Sequence, residues 1–329
     1  VRAEINMIAK TIGIVFPHER GPWRCFKKRL HQCKDFCTRL ASQFCNFLFV
    51  LVWLVGFIEN VTVLTFLRHA TKAVVEVDRK ITILRVVDLL AQKAHVVARY
   101  SAGNNAGHTV INELGEFRLH LVPAGIFYPD KLCVIGNGVV VDPTGLLNEI
   151  EGLESRGISV KGRLFLSDRA QVLMPWHPLI DRLDEELRGE GAIGTTGRGV
   201  GPAFVDKVGR AGVRVADLLD SESLLQLLSF LVPYKNAVLT KLYGADALSL
   251  ESVHAEYAGY GERLAPYVAD TAALVQEAMA RGDTVLLEGA QGSLLDLDAG
   301  TYEYVTSSVP SSLAGGAAVG IGIGPTKID

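Results

Sequence analysis

From residue 86 onward, the apolar and polar positions form a repeated pattern of short apolar runs and longer amphipathic segments. The runs are rich in β-branched residues and predict buried strands at His95–Tyr100, Leu132–Val141, Arg163–Leu166 and Thr284–Leu287. A Gly-Asn-Gly kink at Gly136–Gly138 interrupts the second of these strands. Strict alternation over Phe117–Val122 predicts a strand with one exposed face. Strands that alternate with helices are typical of an α/β fold, so we expect an open, mostly parallel twisted sheet with helices on both faces.

Segments with apolar residues at helical spacing lie between these runs. They predict helices over Val86–Ala91, Leu179–Arg188 and Thr271–Arg281, the last within a mostly helical region from 222 to 281. The helix that follows residue 142 has the clearest start, because Asp142 suits the N-cap position and Pro143 suits the first helical position.

Three predicted strands end in loops that contain glycine and asparagine or glutamine. These loops are Ser101–Val110, Gly136–Gly138 and Glu288–Gly292. Because the carboxyl ends of parallel strands meet at one edge of a sheet, we expect the loops to converge there and to hold a ligand. In the first loop the asparagine amides suit a base or a phosphate, and His108 adds the one side chain whose unperturbed pKa lies near neutrality. A tight turn with a solvated His108 explains that stretch equally well.

A fourth glycine-rich stretch, Ala192–Pro202, contains four glycines, two threonines and an arginine. Backbone N–H groups, hydroxyls and a guanidinium together predict a cradle for an anion. A plain flexible linker is the alternative, but a linker has little use for paired threonines beside an arginine. Asp206, Lys207, Arg210 and Arg214 follow, and two of these basic groups could reach a phosphate.

Composition separates the first 80 residues from the rest of the chain. They carry 13 Lys and Arg against 6 Asp and Glu, whereas the remaining residues carry 20 against 30. Only three of the 33 glycines lie in the first 80 positions. The overall charge of −3 gives no reason to expect nucleic-acid binding by the whole molecule.

The front segment, residues 1–85, has three explanations. Its uninterrupted apolar run Phe47–Ile58 is shorter than the ~20 residues that span a bilayer, so a signal anchor is poorly formed. A genuine membrane-tethering segment remains an alternative. We favour a stretch that does not belong to the fold behind it, such as a wrong start, a frame-shifted region or a fusion. The predicted domains are therefore 1–85 and 86–329.

Cysteine usage follows the same division. Four cysteines lie in the front segment, with spacings that lack the paired arrangement of structural zinc sites: Cys25, Cys33, Cys37 and Cys45. A metal site there is not expected. The body has only Cys133, which is typical of a protein from a reducing compartment.

Taken together and in order, the motifs of the body closely resemble those of the adenylosuccinate synthetase family. The matching motifs are Gly103–Thr109, Gly136–Val139, Gly194–Gly199, Glu288–Gly292, Thr301–Ser308 and Ala314–Gly316. The resemblance covers residues 86–329, and the set as a whole is highly specific.

The resemblance implies a cytoplasmic, homodimeric ligase of purine biosynthesis with a sheet similar to that of P-loop NTPases. Such enzymes use GTP and Mg²⁺ to join IMP to L-aspartate. The γ-phosphate of GTP first phosphorylates the 6-oxygen of IMP, and the amine of aspartate then displaces that phosphate. The enzyme must deprotonate N1 of the base and neutralise the transferring phosphoryl group.

The matching positions imply roles for individual residues. His108 resembles the family's catalytic histidine, which assists phosphoryl transfer, and the Gly107 backbone resembles a metal contact. Five positions resemble IMP contacts: Asn105, Thr196, Arg210, Gln291 and Thr306. Of these, Arg210 is similar to an arginine that reaches in from the other subunit of the homodimer.

The chain departs from the family at the phosphate loop that precedes residue 86. Arg79–Arg85 occupy the places of Gly-Asp-Glu-Gly-Lys-Gly-Lys, so Lys80 replaces the general-base aspartate and Ile83 replaces a phosphate-binding lysine. No GTP-binding residue is assigned for this reason, and we expect activity to be impaired. A residual module that binds IMP or dimerises without catalysis is the alternative.

The second departure lies at the other end of the chain. The family continues past the position of Asp329 with an aspartate-binding loop and a guanine-specifying Thr-Lys-x-Asp. Thr326–Asp329 match that last pattern only in letters, because they follow Gly322–Pro325, which the family places far upstream. We therefore expect a partial domain.

Overall fold

The computed structural model describes residues 84–112, 115–308 and 314–324. The front segment, apart from Leu84 and Arg85, lies outside the described residues, and so do Thr326–Asp329. The separation of the front segment from the fold, and the domain boundary at residue 85, stay predictions. In the part of the chain that is described, no helix is long and apolar enough to cross a membrane.

The described residues contain nine strands and eight α-helices. The strands are β1 (Val96–Arg99), β2 (His108–Asn112), β3 (Gly115–Leu119), β4 (Leu132–Ile135), β5 (Val140–Val141), β6 (Leu164–Ser167), β7 (Gln171–Val172), β8 (Val268–Ala269) and β9 (Val285–Glu288). The helices are α1 (Leu84–Ala91), α2 (Pro143–Glu154), α3 (Trp176–Arg188), α4 (Val200–Gly209), α5 (Ser221–Lys241), α6 (Leu250–Leu264), α7 (Thr271–Ala280) and α8 (Ala314–Ile321).

Five of these strands form the central sheet, in the order β8-β6-β4-β1-β9, and every neighbouring pair is parallel. In register, β1 pairs Val96 with Leu132 of β4 on one side and with Val285 of β9 on the other. The expected open parallel sheet is therefore confirmed. Its carboxyl edge carries the loops that follow β1, β4 and β9.

Helices cover both faces of this sheet. Successive strand residues point to opposite sides, so each strand packs against helices on both faces. Val96, Ala98 and Val134 face one side, where they pack with buried residues of α7 and α8. Cys133 and Ile135 face the other side, in a core that includes α2, α5 and α6. The sheet is buried on both faces, which explains why its strands are continuous apolar runs.

The apolar run Leu132–Val141 forms two strands rather than one. After β4 the Gly-Asn-Gly segment redirects the chain, and β5 leaves the central sheet to pair with β7. A Cβ on Gly138 would lie 2.1 Å from the carbonyl oxygen of Tyr100 and 2.8 Å from the Cα of Gly320. Three chain segments meet at this point, and only glycine permits their approach.

The strand predicted at Phe117–Val122 begins earlier, as β3, and pairs with β2 in an antiparallel hairpin. Its alternation is confirmed: Phe117 and Leu119 are buried, whereas Glu116 and Arg118 are exposed. The hairpin begins at His108, so the first predicted ligand loop runs from the carboxyl end of β1 into β2.

Candidate active site

A buried ion pair lies under the loop that follows β1. Arg99 and Glu288 end β1 and β9 in register, and Arg99 Nη1 donates to Glu288 Oε1 at 2.9 Å. Their side chains are 2% and 4% exposed. The other Glu288 oxygen accepts from the backbone N–H of Ala124 at 2.9 Å. The pair therefore joins the two strands at the edge where their loops emerge.

The start of this loop is tied to the neighbouring β5. Ala102 adopts φ +74°, and its carbonyl accepts from the backbone N–H of Val140 at 2.7 Å. A Cβ on Gly103 would lie 2.9 Å from the carbonyl oxygen of Val140 and 3.1 Å from Cγ2 of Val200. Gly103 thus allows the loop to pack between β5 and the first residue of α4.

Asn104 connects the loop to the beginning of α2. Its Nδ2 donates to Asp142 Oδ2 at 2.9 Å. Asp142 does occupy the N-cap position, but its side chain makes no capping hydrogen bond. The predicted helix start, with Asp142 at the N-cap and Pro143 in the first turn, is therefore confirmed, and the Asp142 carboxylate accepts from the loop rather than from its own helix.

Three neighbouring side chains of this loop have buried polar atoms without a hydrogen-bond partner among the described residues. These atoms are Asn104 Oδ1, Asn105 Oδ1 and His108 Nε2. Buried polar atoms are nearly always paired in native proteins, so such a cluster indicates groups that a ligand or water satisfies. The alternative of a tight turn with a solvated His108 does not account for these three buried atoms.

Burial keeps His108 neutral. Loss of solvent lowers its pKa to about 4; Glu288 acts to raise the pKa, and the positive charge of Arg99 lowers it further. A neutral imidazole offers one N–H donor and one acceptor. His120 lies close by, because a Cβ on Gly107 would be 2.8 Å from His120 Nε2.

The glycine loop, residues 192–199, connects α3 to α4. The backbone N–H groups of Ile193, Gly194 and Thr195 donate to the carboxylate of Glu185, at 3.1, 2.6 and 3.2 Å. The N–H of Gly199 donates to Asp181 at 2.8 Å. Carboxylates of the chain itself therefore accept from these four backbone donors of the predicted cradle, whereas anion binding by its hydroxyls and guanidinium stays a prediction. Thr196 and Arg198 are exposed at the tip of the loop.

The first turn of α4 is where separate loops meet. Val200 lies against Gly103 of the first loop, and a Cβ on Gly201 would be 3.4 Å from Ser307 Oγ. Ser308 links Gln291, in the loop after β9, to Thr306. Its hydroxyl donates to Gln291 Oε1 at 3.4 Å, and it lies 2.9 Å from Thr306 Oγ1.

Comparison with known proteins identifies the family. A family model described as adenylosuccinate synthetase matches residues 84–329. The adenylosuccinate synthetase of Heliobacterium modesticaldum is 53% identical over 245 residues, which are 74% of this chain and 57% of the relative. That of Synechococcus elongatus is 52% identical over 74% of this chain and 54% of the relative. The chain belongs to the adenylosuccinate synthetase family.

A solved structure supports the same assignment. The fully ligated adenylosuccinate synthetase from Plasmodium falciparum aligns with a TM-score of 0.67 and 33% identity, over 75% of this chain and 56% of that one. The chain thus spans little more than half the length of the relatives it matches. The resemblance derived from the motifs is confirmed.

Arg210 is separated from the gathered residues. It caps the far end of α4, a ten-residue helix about 15 Å long, in a left-handed conformation with φ +60°. It is exposed, as are Val205 and Val208 on the same helix. Within one chain of this adenylosuccinate synthetase homologue, Arg210 does not join the loops at the other end of α4.

The described residues do not build a magnesium site of their own. They contain no group of three His, Cys, Asp or Glu side chains that could hold a metal ion. Gly107 can offer only a backbone carbonyl, and Lys80, which the motif comparison predicts at the place of the family's loop aspartate, is not a metal ligand. The residues present therefore do not fit a protein-bound Mg²⁺.

Sequence reasoning missed four charged residues at this site: Arg99, Glu288, Asp181 and Glu185. A charged residue at the end of an apolar strand was the available signal for Arg99 and Glu288. For the other two, the signal was a pair of carboxylates spaced i, i+4 on the helix that precedes the glycine loop. Neither signal names a partner, because the partners lie elsewhere in the chain.

Proposed function

We propose that this chain carries the IMP-binding part of a ligase that joins IMP and L-aspartate with GTP, and that the chain as it stands lacks effective turnover. Asn105, Thr196, Gln291 and Thr306 contact IMP, and His108 assists phosphoryl transfer. The observation that carries the proposal is the cluster of buried, unpartnered atoms of Asn104, Asn105 and His108, next to the segments that meet at α4.

The chemistry assigned to these residues is binding and proton placement. Amide groups of Asn105 and Gln291 suit the ring edge and hydroxyls of a purine nucleotide, and the Thr196 hydroxyl with Arg198 nearby suits a phosphate monoester. A neutral His108 donates one hydrogen bond toward the oxygen at which negative charge develops. Asp88 and Glu288 do not replace the missing base, because their carboxylates accept from Tyr128 and from Arg99 and Ala124.

The same proposal includes a homodimer in the cytoplasm. Exposed Val205 and Val208 on α4, with Phe230 on α5, provide apolar surface suited to a second copy. Arg210 on that helix would then serve the site of the neighbouring subunit. GTP and Mg²⁺ enter as the family's co-substrate and metal, although the Gly107 carbonyl alone does not provide a site for that metal.

Impaired catalysis follows from Lys80 and Ile83. A loop without glycines does not wrap a triphosphate, and a lysine does not take the N1 proton of IMP. We expect the purified chain, given IMP, GTP, aspartate and Mg²⁺, to form no adenylosuccinate by absorbance or chromatography. Measurable GTP-dependent product would refute this part of the proposal.

Binding is tested separately by isothermal titration with IMP. We expect saturable binding that weakens about tenfold in Asn105→Ala, equivalent to the loss of one hydrogen bond. Asn148→Ala, an exposed asparagine on α2, is the matched control and should bind as the wild type does. A flat titration at millimolar IMP would count against an IMP site and favour a module that only dimerises.

A further inference from the structure

Two carboxylates on one face of α3 hold the glycine loop at both ends. Asp181 and Glu185 are one helical turn apart, so their side chains project in the same direction. Asp181 accepts from Gly199 N–H, next to α4, and Glu185 accepts from the three consecutive N–H groups that open the loop. The loop is therefore attached to α3 twice, before and after Thr196.

The path of the chain makes this attachment possible. At the end of α3, Gly189 adopts φ +53°, and a 3₁₀ turn over Gly189–Gly191 reverses the chain. Residues 193–195 then return alongside the helix they have just left. Gly194, at φ +82°, lets the successive N–H groups converge on one carboxylate, as they converge on anions in backbone nests.

The helix that supplies the carboxylates is itself firmly packed. Trp176 and His177 in its first turn are buried, and Leu179 and Leu183 pack against the main core. A rigid element therefore sets the shape of a loop whose tip is exposed. Partial burial acts to raise the pKa of Glu185, but hydrogen bonds from Gly194, Ile193 and Thr195 lower it, which keeps the carboxylate ionised at neutral pH.

We propose that Glu185 is a positioning residue, which takes up the backbone donors of the loop so that the Thr196 hydroxyl and Arg198 guanidinium face the nucleotide's phosphate. This inference rests on the proposed IMP site. A phosphate that took over the same N–H groups would leave the Glu185 carboxylate unpaired and close to a second negative charge. Recognition by the side chains at the tip avoids that repulsion.

The test uses the full chain and three variants. Glu185→Ala removes every acceptor, Glu185→Gln retains one acceptor oxygen, and Glu186→Ala changes the exposed neighbour, whose side chain has no hydrogen bond among the described residues. Hydrogen exchange over peptides that cover 192–199 reports the attachment. Isothermal titration with IMP and with inosine separates the contribution of the phosphate from that of the nucleoside.

We expect Glu185→Ala to accelerate exchange at 193–195 and to weaken IMP binding about tenfold, with inosine affinity unchanged. Glu185→Gln should lie between Glu185→Ala and wild type, and Glu186→Ala should match wild type. IMP binding by Glu185→Ala as tight as, or tighter than, that of wild type would overturn the proposal. Equal losses for IMP and inosine would do the same, because they indicate a general structural role.

The exchange measurement keeps the two proposals distinguishable. Absence of IMP binding by the wild-type chain would refute the proposed function and the phosphate half of this inference. The attachment of the loop would still be decided by exchange, since unchanged protection at 193–195 in Glu185→Ala would overturn it without reference to any nucleotide.

Discussion

The loop after β1 and the glycine loop both carry residues of the proposed IMP site, but they are held in opposite ways. Beneath the first loop, Arg99 and Glu288 form an ion pair that is almost fully buried and joins residues 189 positions apart. The glycine loop is held by carboxylates of α3, at most 18 positions away; the contact of Asp181 with Gly199 is buried, and the contacts of Glu185 are more exposed. One loop depends on the assembled sheet, and the other depends on a single helix.

This difference determines what each attachment contributes. A buried charge that loses its partner is strongly destabilising, so the first loop cannot be loosened without cost to the whole fold. The more exposed contacts of Glu185 contribute much less to folding. Residues 193–198 can therefore change shape while the fold remains intact, which suits the phosphate contact proposed for Thr196.

The largest effect is expected from breaking the buried pair. Glu288→Ala leaves the Arg99 guanidinium unpaired and the Ala124 N–H without its acceptor, and should lower the free energy of unfolding by about 3–5 kcal/mol. Urea denaturation measures this change in the free energy of unfolding. Arg99→Met with Glu288→Leu removes both charges and should recover much of the loss. A single variant within 1 kcal/mol of wild type would contradict a structural pair.

A smaller effect is expected at the second attachment of the glycine loop. Gly199 has φ +79°, and a Cβ there would lie 2.5 Å from Pro178 N and 2.6 Å from the carbonyl carbon of His177. Gly199→Ala should cost about 2–4 kcal/mol, from left-handed strain and a clash with the backbone of α3.

Gly197 provides the matched comparison for that substitution. It also has positive φ, at +64°, but its nearest contact would be Arg182 Cγ at 3.5 Å. Gly197→Ala should therefore cost only the conformational strain, about 1–2 kcal/mol. Equal losses in the two variants would show that packing against α3 is unimportant. Thermal denaturation of both proteins measures the difference.

Detaching the first loop from α2 alone should cost less still. Asn104→Ala removes the hydrogen bond to Asp142 while the ion pair beneath the loop stays intact, and should lower stability by about 1–2 kcal/mol. The loss of IMP affinity should exceed the loss of stability, because Asn105, the proposed IMP contact, is the next residue in the loop. A loss as large as that of Glu288→Ala would mean that the two contacts are not independent.

The smallest effect expected is a dependence of stability on pH, which arises from buried charged groups of α3, α4 and α5. His177 of α3 accepts from Met174 N–H through Nδ1, so its proton is on Nε2 and is donated to Asp206 of α4 at 2.9 Å. Lys235 of α5 and Trp176 also donate to Asp206. Burial lowers the pKa of His177, although Asp206 acts to raise it.

A lowered histidine pKa stabilises the fold above the unfolded value, near 6.5, and this contribution is lost as the pH falls toward the folded pKa. Stability should therefore decline on acidification below about pH 6.5. The slope should be smaller in His177→Asn by up to about 1.4 kcal/mol per pH unit. Parallel stability curves for the two proteins, from urea denaturation between pH 4 and 7, would exclude this role.

Most of the elements were predictable because their signals are local. The apolar run His95–Tyr100 contains β1, and the periodic segment Leu179–Arg188 lies within α3. The interruption of the run Leu132–Val141 was also predictable from its Gly-Asn-Gly segment, but the contact of Gly138 with Tyr100, which follows β1, was not. The occupation of the backbone donors of the glycine loop could not be predicted for a similar reason, because no local pattern shows that Glu185 accepts from residues 193–195.

The amino-acid order alone predicted the family, the parallel sheet and the loops at its carboxyl edge. It also showed that Arg79–Arg85 lack the sequence of the family's phosphate loop. Periodicity and motif spacing are properties of neighbouring residues, and they survive without knowledge of the fold. Tertiary structure alone decided that Arg99 meets Glu288, that α3 holds the glycine loop and that Arg210 stands apart. Those facts depend on which distant groups are brought together away from water, and no local pattern encodes that pairing.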